Sequence, residues 1–355
     1  MIRPRDGTLY FPDETTETVE EDENCCFLIN ILELEDETDN LIEWKATKDI
    51  KAEIDLPQNI KERFEKLYPI MRKNMASNYQ ELKGGCKIGE FNIKLLEDKV
   101  VFKQPYKRSE KEKLEMRKAT DELLAAGIIS LSTSAYSSPF FRVKKKGGTF
   151  RPVFDYKELN AITEKIHWPM PKIDDLLFKM KKAKYFSKAD CKSGFLMIPN
   201  SKKTREYLAF SDGTRKLTWN FMPMGVSNGP MVFSSIMHRI LGDFDFVFVY
   251  VDDICIYSET IEDHIKHIEI VIKKLQEVNL KLNPDKCVWF TKRLDILGHV
   301  ISDKGIEPDL AKIAAIRDRK APTSVKELQC FLGLANYYRN FVRDFAHVSS
   351  PLYTL

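Results

Sequence analysis

The sequence predicts an α+β protein with an acidic leader, and three observations support this prediction. The chain has 355 residues, 43% of them hydrophobic, which is enough for two or more cores. Strand-like and helical patterns are mixed without a strict β-α repeat, which favours an α+β fold. Acidic runs dominate up to about residue 45, whereas regular elements separated by Gly and Pro begin near residue 85.

The first predicted element of the body is a helix at 109–126. Ser109 and Glu112 form a capping-box pattern, apolar residues follow on one helical face, and Gly127 is typical of a helix end. Next, 138–143 and 150–156 have strand patterns on either side of a basic, glycine-containing turn. This arrangement predicts a hairpin with its charge at the tip.

The remaining elements follow along the chain. Strand patterns lie at 185–189, 207–210 and 218–221, with two more flanking Asp252-Asp253, and helical patterns lie at 230–241, 261–278, 309–319 and 324–341. The last helix begins with a second capping-box pattern, at Ser324 and Glu327.

Cysteine and histidine usage indicates reduced thiols and no zinc site of the usual spacing. The seven cysteines include no C-x-x-C pair, which disfavours both a disulfide framework and zinc. His264 and His267 share a predicted helix without a matching cysteine pair, so we expect both on the helix surface. The N-terminus lacks an apolar signal core, and the apolar stretch 246–251 is far short of the ~20 residues of a membrane span. We therefore expect an intracellular protein, not a secreted one, with no membrane partner.

Charge is distributed very unevenly along the chain. Residues 1–60 contain 17 acidic and 5 basic side chains, whereas 61–355 contain 51 basic and 36 acidic ones. A basic body that also carries aromatic residues is typical of a protein with a polyanionic partner.

The Asp252-Asp253 pair is the strongest local indication of chemistry. Apolar strand-like runs precede and follow it, which predicts two carboxylates at the turn of a buried hairpin. Adjacent buried carboxylates repel each other unless a cation neutralises them. The simpler interpretation is an exposed hairpin turn, and the apolar flanks on both sides disfavour it.

Asp190 is a third acid of the same kind, because it follows the strand pattern at 185–189. Three acids at two strand ends could hold a pair of hard cations about 4 Å apart, as phosphoryl-transfer sites do. Spacing in the sequence alone does not establish that Asp190 and Asp252 meet. We expect metal, not lysine, to balance these acids.

Several motifs in a fixed order resemble the polymerase of Ty3/gypsy-type long-terminal-repeat retrotransposons. Tyr250-Val251-Asp252-Asp253 is similar to the Y-x-D-D box of reverse transcriptases. The supporting strings are SPFFRVKKKGGTFR at 138–151, DYKELN at 155–160, YFSKADCKSGF at 185–195, MPMG at 222–225, LGHVIS at 297–302 and FLGLANYYRNF at 331–341. The resemblance covers roughly residues 85–355.

The resemblance implies a right-hand polymerase with fingers, palm and thumb. The implied domains are an acidic leader or linker at 1–80, fingers at 81–164 and 198–228, palm at 165–197 and 229–304, and thumb at 305–355. No Asp-Thr-Gly or Asp-Ser-Gly protease motif is present, and 351–355 is about where the family continues toward ribonuclease H. The chain is therefore expected to be part of a larger Pol polyprotein with protease, ribonuclease H and integrase.

The resemblance also implies the site residues. Asp190, Asp252, Asp253 and the backbone carbonyl of Cys191 are expected to hold two Mg²⁺ ions, with Mn²⁺ as a possible substitute. The residues expected to bind the incoming nucleotide are Lys144, Lys145, Arg151, Ser193, Gly194, Phe195 and Met224. Those expected to contact primer or template are Tyr250, Leu297, Gly298, His299, Gln329, Gly333, Asn336 and Tyr337.

The implied activity is extension of a primer 3′-hydroxyl with deoxynucleoside triphosphates on an RNA or DNA template. Phe195 matches the aromatic position that leaves no space for a 2′-hydroxyl, which disfavours an RNA-synthesising enzyme. Met224 and Val226 depart from the family's usual Phe and Leu. These substitutions leave one alternative open, a non-catalytic nucleic-acid-binding remnant of a decayed or domesticated element. Localisation in a cytoplasmic virus-like particle or in the nucleus is expected.

Overall fold

The computed structural model describes residues 50–354 except 83, 145–149, 170–177 and 192. The described chain divides into two compact units, a large unit up to Leu294 and a small unit from Asp295 onward. No helix in these described ranges is both long and apolar enough to cross a membrane.

The large unit contains helices α1 to α6 and strands β1 to β9. The helices are α1 (Gln58–Lys73), α2 (Glu110–Ala125), α3 (Lys157–Ala161), α4 (Lys202–Tyr207), α5 (Gly229–Leu241) and α6 (Ile261–Glu277). The strands are β1 (Ile129–Leu131), β2 (Phe140–Lys144), β3 (Phe150–Phe154), β4 (Tyr185–Asp190), β5 (Phe210–Ser211), β6 (Lys216–Trp219), β7 (Val247–Tyr250), β8 (Asp253–Ser258) and β9 (Val288–Thr291).

A four-stranded antiparallel sheet in the order β7-β8-β4-β9 forms the centre of this unit. Of its two middle strands, β4 ends at Asp190 and β8 begins at Asp253. Helix α5 packs beside β7, and α6 packs against β8 and β4. Ile254, Cys255 and Ile256 are fully buried in β8, as the apolar run in the sequence predicts.

Helix α1 belongs to the core of the large unit. It buries Ile60, Phe64, Leu67 and Met71, which recur at helical spacing on one face. The Phe64 ring contacts the Phe290 ring edge to face, with 5.0 Å between centroids. Part of the predicted leader or linker at 1–80 therefore contributes to this core through α1, while 1–49 lie outside the described residues.

Two smaller sheets complete the large unit. Strands β2 and β3 form the predicted antiparallel hairpin, whose tip at 145–149 lies outside the described residues. Strands β1, β6 and β5 form the other sheet. The capping box at Ser109 and Glu112 is present at the start of α2. The predicted strand at 207–210 is wrong in its first half, because Tyr207 ends helix α4.

The small unit contains a three-stranded sheet and the last helices. Its elements are β10 (Arg293–Ile296), which crosses the boundary, β11 (His299–Ser302), β12 (Gly305–Pro308), α7 (Leu310–Arg317), α8 (Val325–Tyr337) and α9 (Phe345–Ser349). Half of the second capping box is present, since Ser324 Oγ accepts from the Glu327 amide. The Glu327 carboxylate instead accepts from the amide and hydroxyl of Thr323.

Candidate active site

Asp190 and Asp253 are cross-strand partners at the end of the central sheet. Asp190 is the last residue of β4, Asp253 is the first of β8, and the antiparallel register places them opposite each other. Both are buried, with 4% and 8% of their surface exposed. The structure thus brings together two acids that are 63 positions apart in the sequence.

The turn between β7 and β8 carries the third acid, Asp252, which is half-buried. Val251 precedes it with a φ of +49°, a left-handed conformation that is strained for a β-branched residue. The Cys191 amide donates to the Asp252 carbonyl at 3.3 Å, which joins this turn to the end of β4. Asp190, Cys191 and Asp252 therefore lie in one locality.

Two lysines accompany the acids. Lys188 Nζ lies 2.8 Å from Asp253 Oδ1, and Lys286 Nζ lies 3.8 Å from Asp190 Oδ2. Lysines therefore lie beside Asp190 and Asp253, which the expectation of metal alone did not include. The reason is the cost of burying like charges directly opposite each other, which a nearby ammonium reduces.

The donor set fits a hard divalent cation that shares its ligands with substrate. Among the described residues, no group of three or more His, Cys, Asp or Glu side chains forms a ready metal cage. Mg²⁺ does not need one, because it is usually bound by one or two carboxylates together with water and substrate phosphates. The Cys191 thiol is unsuited as a ligand, because burial and then the carboxylates of Asp252 and Asp190 raise its pKa well above the usual value.

The segment after β4 contains the predicted nucleotide residues Ser193, Gly194 and Phe195. Ser193 has a φ of +46° and precedes a short 3₁₀ turn, Gly194–Met197. Phe195 is buried and contacts the Phe233 ring edge to face, with 5.5 Å between centroids. A Cβ at Gly194 would approach Phe233 to 2.6 Å, so this glycine is required for the packing.

Met224 lies in a loop that is held by two hydrogen bonds to the Asn160 side chain. The Asn160 side chain donates to the Gly225 carbonyl at 2.9 Å and accepts from the Ser227 amide at 2.9 Å. Met224 remains 39% exposed. An exposed side chain on a fastened loop is suited to contact a ligand.

Two of the predicted triphosphate contacts, Lys144 and Arg151, lie on the paired strands β2 and β3. Lys144 is the last residue of β2 and pairs with Phe150, while Arg151 on β3 pairs with Val143. Lys145 lies outside the described residues.

The predicted primer contacts lie in and around the turn between β10 and β11 of the small unit. Leu297 and Gly298 both have positive φ, +48° and +68°. The Tyr337 hydroxyl donates to the Leu297 carbonyl at 2.6 Å, and the Tyr338 hydroxyl donates to the Gly298 carbonyl at 3.1 Å. His299 is buried beside both tyrosine rings.

Helix α8 carries the other predicted contacts of the small unit. Gln329 and Asn336 are exposed, and Gly333 is partly exposed between them. Tyr250 ends β7 in the large unit and pairs with Asp253.

The family model described as "Reverse transcriptase (RNA-dependent DNA polymerase)" matches residues 143–301, which include all three acids. These residues belong to the reverse transcriptase family.

Curated proteins that are similar to this chain are retrotransposon polyproteins. The chain is 34% identical over 259 residues to the Pol polyprotein from transposon 297 of Drosophila melanogaster, covering 71% of this chain and 24% of that protein. It is 36% identical over 239 residues to that of Drosophila transposon gypsy, covering 65% and 23%. It is 32% identical over 325 residues to the Tf2-3 polyprotein of Schizosaccharomyces pombe, covering 89% and 24%. The chain spans about a quarter of the length of these relatives.

Solved structures of foamy viral protease-reverse transcriptase are similar to this chain. One in complex with double-stranded DNA has a TM-score of 0.72 at 27% identity and covers 88% of this chain and 58% of that one. Another, in complex with an RNA/DNA hybrid, has a TM-score of 0.67 at 27% identity and covers 88% and 44%. The α+β right-hand polymerase fold predicted from the sequence is therefore confirmed.

His264 is placed differently from the sequence prediction. It is fully buried in α6, with its ring nitrogens 2.8 Å from the hydroxyls of Ser187 and Ser258. His267 contacts the same Ser258 hydroxyl and stacks on Phe246 at 3.7 Å. The prediction of two helix-surface histidines is wrong for His264, because its ring joins a hydrogen-bonded network with the serines of β4 and β8.

Sequence reasoning did not assign roles to Lys188, Lys286 or Asn160. Lys188 and Asn160 fall inside motifs that identify the reverse transcriptase, but their partners depend on strand register and loop packing. Lys188 lies two positions before Asp190 on the same predicted strand, and residues two apart on a strand share a face. This spacing could have indicated that Lys188 lies near the acids.

Proposed function

We propose that this chain is the RNA-directed DNA polymerase segment of a Ty3/gypsy-type Pol polyprotein. The observation that carries the proposal is the buried end of the central sheet, where Asp190 opposes Asp253 and Asp252 occupies the adjoining turn. Family membership supports the reaction, extension of a primer 3′-hydroxyl with deoxynucleoside triphosphates on an RNA or DNA template.

In this mechanism the chain's main task is to hold reactants in position. Asp190, Asp252 and the Cys191 carbonyl would hold two Mg²⁺ ions, with Asp253 beside them. When bound, the ions activate the primer hydroxyl and neutralise charge on the phosphate oxygens. Lys144, Lys145 and Arg151 would contact the triphosphate, for which a bidentate guanidinium is well suited.

The other site residues would fix the nucleotide and primer. Phe195 excludes a 2′-hydroxyl, and the backbone at Ser193 and Gly194 approaches the phosphates. Met224 lies beside the incoming nucleotide. In the small unit the turn at Leu297–Gly298 would contact the primer end.

The larger assembly is part of the proposal. The relatives are polyproteins, which supports a Pol protein that also includes protease, ribonuclease H and integrase. Action in a cytoplasmic virus-like particle or in the nucleus is consistent with that origin.

Primer extension tests the function. The wild-type chain, Asp252→Asn and a matched control, Asp243→Asn at an exposed position, are compared with Mg²⁺ on an RNA template. We expect extension by the wild type and the control and none by Asp252→Asn. Equal extension by all three proteins, or none by any, contradicts the proposal.

The alternative is a nucleic-acid-binding protein without catalysis, and the departures at Met224 and Val226 favour it. It predicts duplex binding that falls with salt, persists in EDTA and is accompanied by no nucleotide incorporation. Preferential incorporation of ribonucleotides by the wild type would instead indicate an RNA-synthesising enzyme.

A further inference from the structure

Four polar side chains form a continuous hydrogen-bonded chain between α6 and the central sheet. His264 and His267 lie about one turn apart on α6, Ser187 lies on β4, and Ser258 ends β8. Ser187, His264 and Ser258 are at most 5% exposed, whereas His267 is partly exposed. The chain therefore connects the surface of the large unit to the middle of β4.

Each contact in this chain has the length of an ordinary hydrogen bond. Ser187 Oγ lies 2.8 Å from His264 Nε2, and Ser258 Oγ lies 2.8 Å from Nδ1 of both His264 and His267. At the inner end, Ser187 Oγ also accepts from the Phe290 amide at 3.0 Å. The two histidines are thus coupled through one serine hydroxyl, and the inner serine contacts the backbone of β9.

The inner end of the chain supports a β-bulge in β9. The pairing of β4 with β9 shifts register between Phe186 and Lys188, so that Trp289 and Phe290 both oppose Ser187. Phe290 has a φ of +52°, which is strained for a bulky residue. The bond from its amide to the Ser187 hydroxyl therefore helps to hold an irregular part of the strand.

The alignment of β9 bears on the end of β4. In the segment before β9, the Asn283 amide donates to the Asp190 carbonyl at 2.8 Å, and Leu282 forms an isolated bridge with Cys191. A bulge fixes how a strand and the residues before it are aligned with the neighbouring strand. Support of the bulge is therefore also support of the backbone beside Asp190.

The number of hydrogens available determines the direction of the chain. A hydroxyl donates one hydrogen bond, and a neutral imidazole donates from one nitrogen and accepts at the other. The Ser258 hydroxyl can therefore donate to only one of its two histidines. In the first arrangement Ser187 donates to His264, His264 donates to Ser258 and Ser258 donates to His267, so that every one of these hydrogens has an acceptor.

The reverse arrangement leaves one hydrogen without an acceptor. In it, His267 donates to Ser258, Ser258 donates to His264 and His264 donates to Ser187. The other contact of Ser187 Oγ within the described residues is the Phe290 amide, which is itself a donor. A buried hydroxyl hydrogen without an acceptor costs free energy. A neutral His267 permits the first arrangement, whereas a protonated His267 carries a hydrogen on Nδ1 and imposes the reverse.

We propose that these four side chains are a proton-controlled support of β4, in which protonation of His267 switches His264 from its Nδ1–H to its Nε2–H tautomer and loosens the β9 bulge. The added proton comes from solvent and stays on His267, while His264 remains neutral. The Ser187 hydroxyl then turns away to find an acceptor, and the Phe290 amide loses its partner. This device goes beyond the polymerase function and does not require it.

The switch occurs below pH 6.5. Burial lowers the pKa of His267 from its ordinary value of 6.5; of the charged side chains on α6, Asp263 raises this pKa and Lys266 lowers it. On β4, the Tyr185 ring lies 6.4 Å from the His264 ring. Titratable side chains of the other elements packed against α6 have partners elsewhere: Tyr257 of β8 on the Asp245 carbonyl, Arg63 of α1 on Glu269, and His238 and Arg239 of α5 on the Trp168 ring and the Ile88 carbonyl.

Nitrogen-15 NMR of the histidine rings tests the switch directly. The chain has six histidines, and ring spectra distinguish a nitrogen that carries hydrogen from one that does not. In a titration from pH 8 to pH 5, His264 should stay neutral, since its pKa is about 3, and should change tautomer along the titration curve of His267. An Nε2–H tautomer at pH 8, or a tautomer that stays constant while His267 titrates, overturns the proposal.

Three variants test the route of the coupling. His267→Gln removes the titrating group but can still accept from Ser258, so we expect the Nδ1–H tautomer of His264 at every pH. Ser258→Ala interrupts the chain and should abolish the response of His264, whereas Ser258→Thr keeps the hydroxyl and should retain it. His347→Gln, at an exposed histidine of the small unit, is the matched control and should switch like the wild type. A switch that survives in His267→Gln or Ser258→Ala contradicts the proposal.

Hydrogen exchange at the Phe290 amide tests the effect on the bulge. Its protection factor, which corrects for the pH dependence of chemical exchange, should fall by about fivefold as His267 becomes protonated, as expected for the loss of one hydrogen bond. The factor should stay constant in His267→Gln, and that of the Ile256 amide within β8 should stay constant in both proteins. No fall in the wild type, or an equal fall in both proteins, contradicts the proposal.

These measurements need no primer, nucleotide or metal ion, so they decide the proposal separately from the polymerase function. A chain that extends no primer but shows the tautomer switch refutes only the polymerase function. An active polymerase whose His264 tautomer stays constant refutes only the switch.

Discussion

Asp190 and Asp253 are direct cross-strand partners, and each has a lysine beside it. Two like charges in this position destabilise a sheet unless something compensates them. Lys188 and Lys286 supply part of this compensation within the chain itself.

Stability should fall in acid because of His264. Burial, and then the neighbouring His267, lower the pKa of His264 from 6.5 to about 3. Between these values the unfolded chain binds a proton that the folded chain does not, so stability declines as the pH falls from 6.5 toward 3. From pH 7 to pH 5 the contribution amounts to about 2 kcal/mol.

Urea unfolding of the wild type and His264→Gln at pH 7 and pH 5 measures this loss. The variant should lose about 2 kcal/mol less than the wild type over this interval. Equal losses of unfolding free energy in the two proteins would show that the pKa of His264 is the same in the folded and unfolded chain.

The turn at Leu297–Gly298 should depend on the hydroxyl of Tyr337. Tyr337→Phe removes its hydrogen bond to the Leu297 carbonyl, at a cost of about 1 kcal/mol. Amide hydrogen exchange at Gly298 and His299 should accelerate by about fivefold. Tyr353→Phe, in the last described turn of the chain, serves as the control and should leave these amides unchanged.

Asn160 should control nucleotide affinity without contacting the nucleotide. Asn160→Ala frees the loop at Gly225 and Ser227, which displaces Met224. We expect the KM for deoxynucleoside triphosphates to rise by about tenfold, since small displacements of a binding group have large effects. Asn92→Ala, which removes an exposed amide bonded only to a nearby carbonyl, should not change the KM.

The acidic leader is predicted to weaken nonspecific binding of nucleic acid. Residues 1–49 contain 15 acidic and 4 basic side chains, and their removal should raise duplex affinity at low salt. The difference should disappear at high salt, where charges are screened. Fluorescence anisotropy with a labelled duplex measures the affinity at low and at high salt. An unchanged affinity at low salt contradicts an inhibitory role of the leader.

Deletion of residues 1–80 should have a second effect, because it also removes α1. Phe64 and Met71 are buried in the core of the large unit, so the longer deletion should lower the melting temperature. If both deletions melt like the full chain, α1 contributes nothing to stability.

The central hairpin and its acids were predictable because strand patterns and motif order are local properties. The Asp252-Asp253 pair lies between apolar runs, and Asp190 ends another strand pattern. The lysine partners were not predictable, because Lys188 meets Asp253 only in one register of β4 against β8, which no local pattern specifies.

Two errors have physical causes that were visible in the sequence. His264 shares a helical face with Ile268, Val271 and Leu275, a spacing that indicates burial. The surface prediction rests instead on the lack of a matching cysteine pair, which argues against a zinc site but says nothing about burial. Likewise, Phe64 and Met71 have the spacing of a buried helical face. The excess of acidic residues before them favours a leader in this region, and this charge outweighs the apolar spacing in the sequence prediction.

The packing of α1 also bears on how the protein is synthesised. Its apolar face meets α6, and the flanking residues Ala52 and Met75 bridge to Trp289 and Leu282. A ribosome adding roughly 5–20 residues per second needs about 10 to 45 seconds to produce these partners after α1 has emerged. During that interval the nascent chain exposes an amphipathic helix, so chaperone binding to nascent chains should be strongest until β9 has left the exit tunnel.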